Sequence, residues 1–190
     1  MGIVTGNNHK YLSDNAETPQ YEEIICGTDV QKFRISPPGR YILFEPEKFQ
    51  QVAPENIYRT APKLLYRFIS RKLVFACDFQ GTLVLNSCNI LIPRISGLDI
   101  RYVMAVLNSG TAQFFFSKCF NSVKVLRSHL EALPIPRAEQ QVQDEIISMT
   151  EKLADPSDDF VKIRDELDKK IAAIYGLDDS EYRIIAAAVN

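Results

Sequence analysis

RYVMAVLNSGTAQFFFSKCFNSVKVLRSHLEALPIP, Arg101 to Pro136, sets an apolar helix, an aromatic cluster, a basic loop and a Pro-x-Pro strand in succession with no spacer. Val103, Val106 and Leu107 recur at helical spacing, and Asn108-Ser109-Gly110 supplies a helix stop and a fresh start. Phe114, Phe115 and Phe116 cannot share one helical face, so burial on more than one side is expected. Lys124, Arg127 and His129 follow in a polar loop, where a rigid base can aim cations outward. The plain alternative is ordinary packing beneath a solvated loop, since exposed Lys and Arg are the rule on any surface.

Upstream of this stretch the pattern is mixed. Strands are expected near Gly2 to Asn8, Glu22 to Cys26 and Arg40 to Phe44, with Tyr11 to Gln20 a polar loop. Pro54 to Ser70 reads as a helix with Leu64, Leu65, Phe68 and Ile69 on its apolar face. Lys72 to Phe79 and Thr82 to Pro93 read as a hairpin turning at Gln80-Gly81. Asp99 is placed to cap the helix that follows it. Downstream the character is helical alone. Val142, Ile146, Met149 and Leu153 recur every three or four residues, Asp155-Pro156-Ser157 interrupts, and Phe160, Ile163, Leu167, Ile171 and Ile174 resume up to a terminating Gly176. That is an antiparallel helical hairpin, followed by a short helix over Asp179 to Ala188. The fold class is α+β: a mixed sheet-and-helix domain over residues 1–136, then a helical tail over 137–190.

The formal charge of −2 over 190 residues hides an asymmetry. Met1 to Pro134 carries 15 Lys or Arg against 11 Asp or Glu, a balance of +4, whereas Ile135 to Asn190 carries 7 against 13, a balance of −6. Between Lys32 and Lys72 the count is 9 against 3. If only the first portion meets phosphate, a basic segment joined to an acidic one is the expected result. Cys26, Cys77, Cys88 and Cys119 form no C-x-x-C pair and read as reduced, mostly buried thiols. No run of about 18 apolar residues exists to span a bilayer.

The order of motifs resembles the TaqI-like C-terminal specificity domain of restriction and modification methyltransferases. The resemblance rests on LNSG at Leu107 to Gly110, FFF at Phe114 to Phe116, VKVLRS at Val123 to Ser128 and LPIP at Leu133 to Pro136. It extends to GIVTGNN at Gly2 to Asn8, LLYRFISRKLVFACDFQGTLVLNS at Leu64 to Ser87 and LDKKIAAIYGLDDSEYRII at Leu167 to Ile185. It implies target recognition on duplex DNA within a larger prokaryotic, cytoplasmic enzyme. An upstream adenine methyltransferase domain, alone or fused to an endonuclease, would then hold S-adenosylmethionine, with no cofactor in this chain.

Catalysis by the chain itself finds little support. An amino-methyltransferase loop needs an aromatic ring after Pro-Pro to stack on the extruded base. Ser36-Pro37-Pro38-Gly39 ends in glycine and reads as a turn. A nucleotide cofactor calls for a strand, a Gly-rich turn and an acidic residue about 20 positions on, and none is found. Asp168-Lys169-Lys170 is the only nuclease-like spacing and reads as a solvated helix face. His9 and His129 have no partner at triad or zinc spacing.

For recognition, Lys63, Arg67, Arg71, Lys72 and Lys124 are the candidates to position phosphate, and Arg127 and Asn86 the candidates to read base edges. Thr5, Gly6 and Asn7 occupy the opening TG element, where Gly6 serves either a tight turn or close approach to the nucleic acid. A second reading, from a different class, is a protein-interaction module that docks through its acidic helical tail.

Overall fold

The computed structural model describes residues 1–155 and 159–189. In chain order it contains α1 (Asn8–Tyr11), β1 (Leu12–Ser13), β2 (Tyr21–Ile25), β3 (Val30–Gln31), β4 (Arg34–Ile35), β5 (Tyr41–Leu43) and α2 (Glu55–Arg59). Then come β6 (Lys63–Arg67), β7 (Phe75–Asp78), β8 (Leu83–Val84) and β9 (Cys88–Leu91). The rest is helical: α3 (Ile100–Asn108), α4 (Gly110–Cys119), α5 (Arg127–Glu131), α6 (Gln140–Ala154), α7 (Phe160–Ile174) and α8 (Asp179–Val189). The α+β class is as the sequence predicts. No helix among the described residues is long and apolar enough to cross a membrane.

Strand β6 organises the molecule. It is the centre of an antiparallel sheet ordered β7-β6-β9, and it alternates between two cores. Leu64 and Tyr66 face the core built with α3, α4, α6 and α7, while Leu65 faces a second core with Ile3, Ile24, Ile42 and Val84. A strand buried on both faces reads as a continuous apolar run, which is why KLLYR carries no period-2 signal.

That ambiguity defeats the helix expected over Pro54 to Ser70. The helix stops at Arg59, and Pro62, which lacks an N–H and restricts the residue before it, separates it from the strand. The hairpin expected at Gln80-Gly81 also fails. Asp78 gathers the chain around its carboxylate, accepting from Gln80 N at 2.9 Å and from Thr82 N at 2.8 Å. Gly81 then passes so close to Arg59 that a Cβ would lie 2.8 Å from its carbonyl oxygen. The chain leaves for the other sheet, where β8 pairs in parallel with β2, and returns as β9 beside β6.

Between Arg101 and Pro136, α3 and α4 fall as the sequence predicts, but the expected Pro-x-Pro strand does not form: Leu133 to Pro136 is irregular and joins α5 to α6 without pairing. Asp99 caps α3 through Arg101 N at 2.7 Å, and Ser109 closes α3 and caps α4, accepting from Ala112 N at 3.1 Å. Of the three phenylalanines only Phe116 is fully buried. Arg127 and His129 stand in the short helix α5 instead of a loop. The tail hairpin is present, with Gly176 ending α7 in a left-handed conformation at φ 78°. Ile146, Leu153, Leu167 and Ile171 bury into the same core as α3, so the apolar stripe is an internal seam. Pro156 and Ser157 lie outside the described residues. Among the cysteines, Cys26 and Cys88 are buried and Cys77 half-buried, but Cys119 is exposed.

Candidate nucleic-acid interface

One end of the β7-β6-β9 sheet carries a rim of three segments joined by main-chain hydrogen bonds. Beyond β6, Phe68 N donates to Ser87 O at 3.1 Å, Ser70 N to Val123 O at 3.0 Å, and Val125 N to Phe68 O at 2.9 Å. The turn 68–72 thus lies between the β8–β9 turn and the segment after α4. Two serine hydroxyls tighten the turns on either side. Ser70 Oγ donates to Lys72 O at 2.6 Å, and Ser122 Oγ to Lys124 O at 2.8 Å.

The rim is supported from below by buried amides. Gln113 on α4 accepts from Leu73 N at 2.7 Å and donates to Arg71 O at 3.3 Å. Asn108 on α3 accepts from Phe75 N and donates to Phe75 O, each at 2.9 Å. Asn108 thus pairs with the outer edge of β7, and Gln113 holds the segment that leads into it. Behind Lys124 and Arg127, His129 stacks on Phe120 with ring centroids 4.3 Å apart and accepts from Leu126 N at 3.3 Å.

What the rim displays is cationic with an apolar edge. Arg71, Lys72, Lys124 and Arg127 are exposed, and so are Ile69, Val123 and Leu126. Lys124 Nζ lies 5.6 Å from the centre of the Phe68 ring, a cation–π contact that keeps the ammonium over the surface. Arg127 pairs with Glu131 at 2.7 Å along α5, which raises its pKa, and remains 89% exposed. Asn86 is exposed at the tip of the β8–β9 turn, with its main-chain N held by Ile3 O at 3.0 Å.

The remaining sequence candidates separate. Lys63 is completely buried, with Nζ donating to Asp78 Oδ2 and Tyr58 O, each at 2.6 Å. It is a structural cation with no path to phosphate, and the helical reading of its segment concealed this. Arg67 is half-buried, with Nε donating to Val30 O at 2.7 Å. Thr5 is buried and donates to Asn8 Oδ1 at 2.6 Å, while Asn7 caps α1. Gly6 adopts φ 79° in a turn beside Gln50. No hydrogen bond among the described residues joins Thr5, Gly6 or Asn7 to the rim. Sequence reasoning missed Ile69, Val123 and Leu126, which lie in irregular segments outside the strands and whose exposure follows only from tertiary packing. It also missed Gln113, whose burial follows only from the packing of α4 on the sheet.

Pro37 and Pro38 lie in the β4–β5 connection, and Gly39 takes φ 57°, the turn the sequence suggests. Asp168 is not on a solvated face. It is half-buried and accepts from Gly110 N at 3.1 Å, capping α4 from α7.

The chain is thus a mixed α+β domain with a cationic, partly apolar rim at one sheet end and a helical tail that shares its core. The chain belongs to the family described as the TaqI-like C-terminal specificity domain, whose model matches residues 22–135. Among solved structures it is similar to the Type IIL restriction-modification enzyme MmeI in complex with DNA, with a TM-score of 0.63 at 10% sequence identity. That match covers 98% of this chain and 35% of the MmeI chain, so the protein spans about a third of the enzyme it resembles. No curated protein matches the sequence.

Proposed function

We propose that this chain is the DNA target-recognition domain of a restriction-modification enzyme, and that it presents the target base to an adenine methyltransferase domain elsewhere in the parent protein. The observation that carries the reading is the rim. Four exposed cations and three exposed aliphatic side chains converge on main-chain segments that are fixed to one another. Cations on a rigid base set the register on phosphate, and side chains among them can reach base edges. Arg127 suits guanine, Asn86 suits adenine, and the aliphatic edge suits a thymine methyl group. Membership in the specificity-domain family supports the reading, as does the DNA-bound state of the MmeI structure. S-adenosylmethionine belongs with the catalytic domain in this scheme. The experiment is fluorescence anisotropy on mixed duplexes with the parent enzyme. Binding that weakens steeply with salt is expected, and absent or salt-independent binding would overturn the proposal.

A further inference from the structure

Between the β3–β4 hairpin, the 68–72 turn and the tail helices lies a cavity of about 520 Å³. Five cationic side chains line it, Lys32, Arg34, Arg67, Lys72 and Arg164, against one carboxylate, Asp168. These residues come from three separate parts of the chain, and of the five cations only Arg164 lies outside the basic segment from Lys32 to Lys72.

The arrangement is built, not incidental. Lys32 Nζ is fixed by Asn108 O at 2.7 Å, and the hairpin tip that carries it is pinned by Phe33 N donating to Phe75 O at 2.9 Å. Phe33 holds φ 71°, a left-handed conformation that a bulky residue rarely adopts. Burial lowers the Lys32 pKa; Asp168 works against that shift, while Arg164 and Lys72 add to it. The carboxylate is partly committed elsewhere, through Gly110 N, and Arg164 has a further partner in Asp165 at 2.9 Å. Arg34 and Lys72 have no ion-pair partner among the described residues. Like charges gathered in a half-enclosed space repel unless an anion enters.

We infer that this cavity is a phosphate site, and that the phosphate is a backbone group of the same DNA that the rim engages. Lys72 belongs to both, so a duplex on the rim brings its backbone to the cavity mouth. Through Arg164 the acidic tail becomes part of the DNA-contacting surface. This inference rests on the proposed function for the source of the phosphate, but not for the site itself.

The test compares the wild-type chain with R34Q/R164Q and with D168N, in which the amide oxygen can still accept from Gly110. One arm follows thermal stabilisation by pyrophosphate, which scales with occupancy of the native state. Stabilisation is expected for the wild type, loss of it in R34Q/R164Q, and binding tighter by about threefold or more in D168N, the worth of one nearby charge in a wet cavity. The D168N gain cannot come from a folding defect. The second arm follows duplex binding against salt, where R34Q/R164Q is expected to lower the slope of log K on log salt by about 1 to 2. A duplex slope unchanged in R34Q/R164Q overturns the DNA source and leaves the rim reading intact. Pyrophosphate stabilisation in a protein that binds no duplex overturns the rim reading and assigns the cavity to a free phosphorylated ligand. Absence of any pyrophosphate effect in both wild type and D168N overturns the site.

Discussion

Asn108 stands opposite Phe75 as though it were the next strand, its side-chain amide exchanging two hydrogen bonds of 2.9 Å with the Phe75 main chain. The asparagine of the LNSG motif therefore joins α3 to the open edge of β7. Asn108→Ala leaves the buried Phe75 N–H without an acceptor, and a loss of about 2 to 4 kcal/mol is expected in urea unfolding. Asn108→Asp removes the donor and buries a charge, so it should be no better. A loss below about 0.5 kcal/mol in either variant would show that water or another group replaces the amide.

Lys63→Met should destabilise by about 3 to 5 kcal/mol, because Asp78 is left as a buried carboxylate without its cation. Where the variant is still folded, its duplex affinity and salt slope should equal those of the wild type. A reduced slope would return Lys63 to the phosphate contacts.

Lys124→Gln and Arg127→Gln act on the rim without touching either core. Each should lower the salt slope by about 1, and Arg127→Gln should also relax preference at one base position by about 1 to 3 kcal/mol. Thermal midpoints should stay within a degree or two, since both side chains are exposed and surface pairs contribute little. An Arg127 variant that weakens all duplexes equally would make it a phosphate contact only.

The hydrogen bond from Arg101 holds the Asp99 pKa below its ordinary value of 3.8, burial opposing this less strongly. Stability from this group is therefore fully present above the ordinary value and disappears as pH falls through the lower folded one. Asp99→Asn keeps the helix cap and removes the charge. The variant should be less stable than wild type at neutral pH by under about 1 kcal/mol, as befits a partly exposed pair. The gap should close in acid, and a gap that is constant with pH would assign the effect to packing.

Thiol labelling of the folded protein should modify Cys119 first. Burial pushes Cys77 up to about 12 and raises Cys88 as well, so neither offers appreciable thiolate at neutral pH. Cys88 should react only at the rate of unfolding, and fast labelling there would mean that β9 opens locally.

How far the sequence could be read depended on whether local signals and tertiary burial agreed. In α3, α4, α6 and α7 they agree: caps, helical periodicity and a terminating glycine are local, so these helices fall where expected. Between Pro54 and Pro93 they conflict. Leu64 and Leu65 look like neighbours on a helix face, yet they serve opposite faces of a central strand, and only knowledge of two cores distinguishes the cases. The same conflict explains Lys63, whose charge suggested solvent until Asp78 was placed beside it. Lys124 and Arg71 were legible because exposed cations next to turns advertise themselves. The Lys32 to Arg164 cavity was not, because no local rule brings a hairpin tip to a helix 132 positions later.

Main-chain hydrogen bonds at Phe68, Ser70, Ser87, Val123 and Val125 hold the three segments of the rim to one another. Main-chain bonding is indifferent to what the side chains are. A lineage could therefore exchange the residues at Ile69, Arg71, Asn86, Lys124 and Arg127 one at a time, as type is changed in a fixed frame, while the frame keeps its shape. New side chains at these positions would cost the domain little stability.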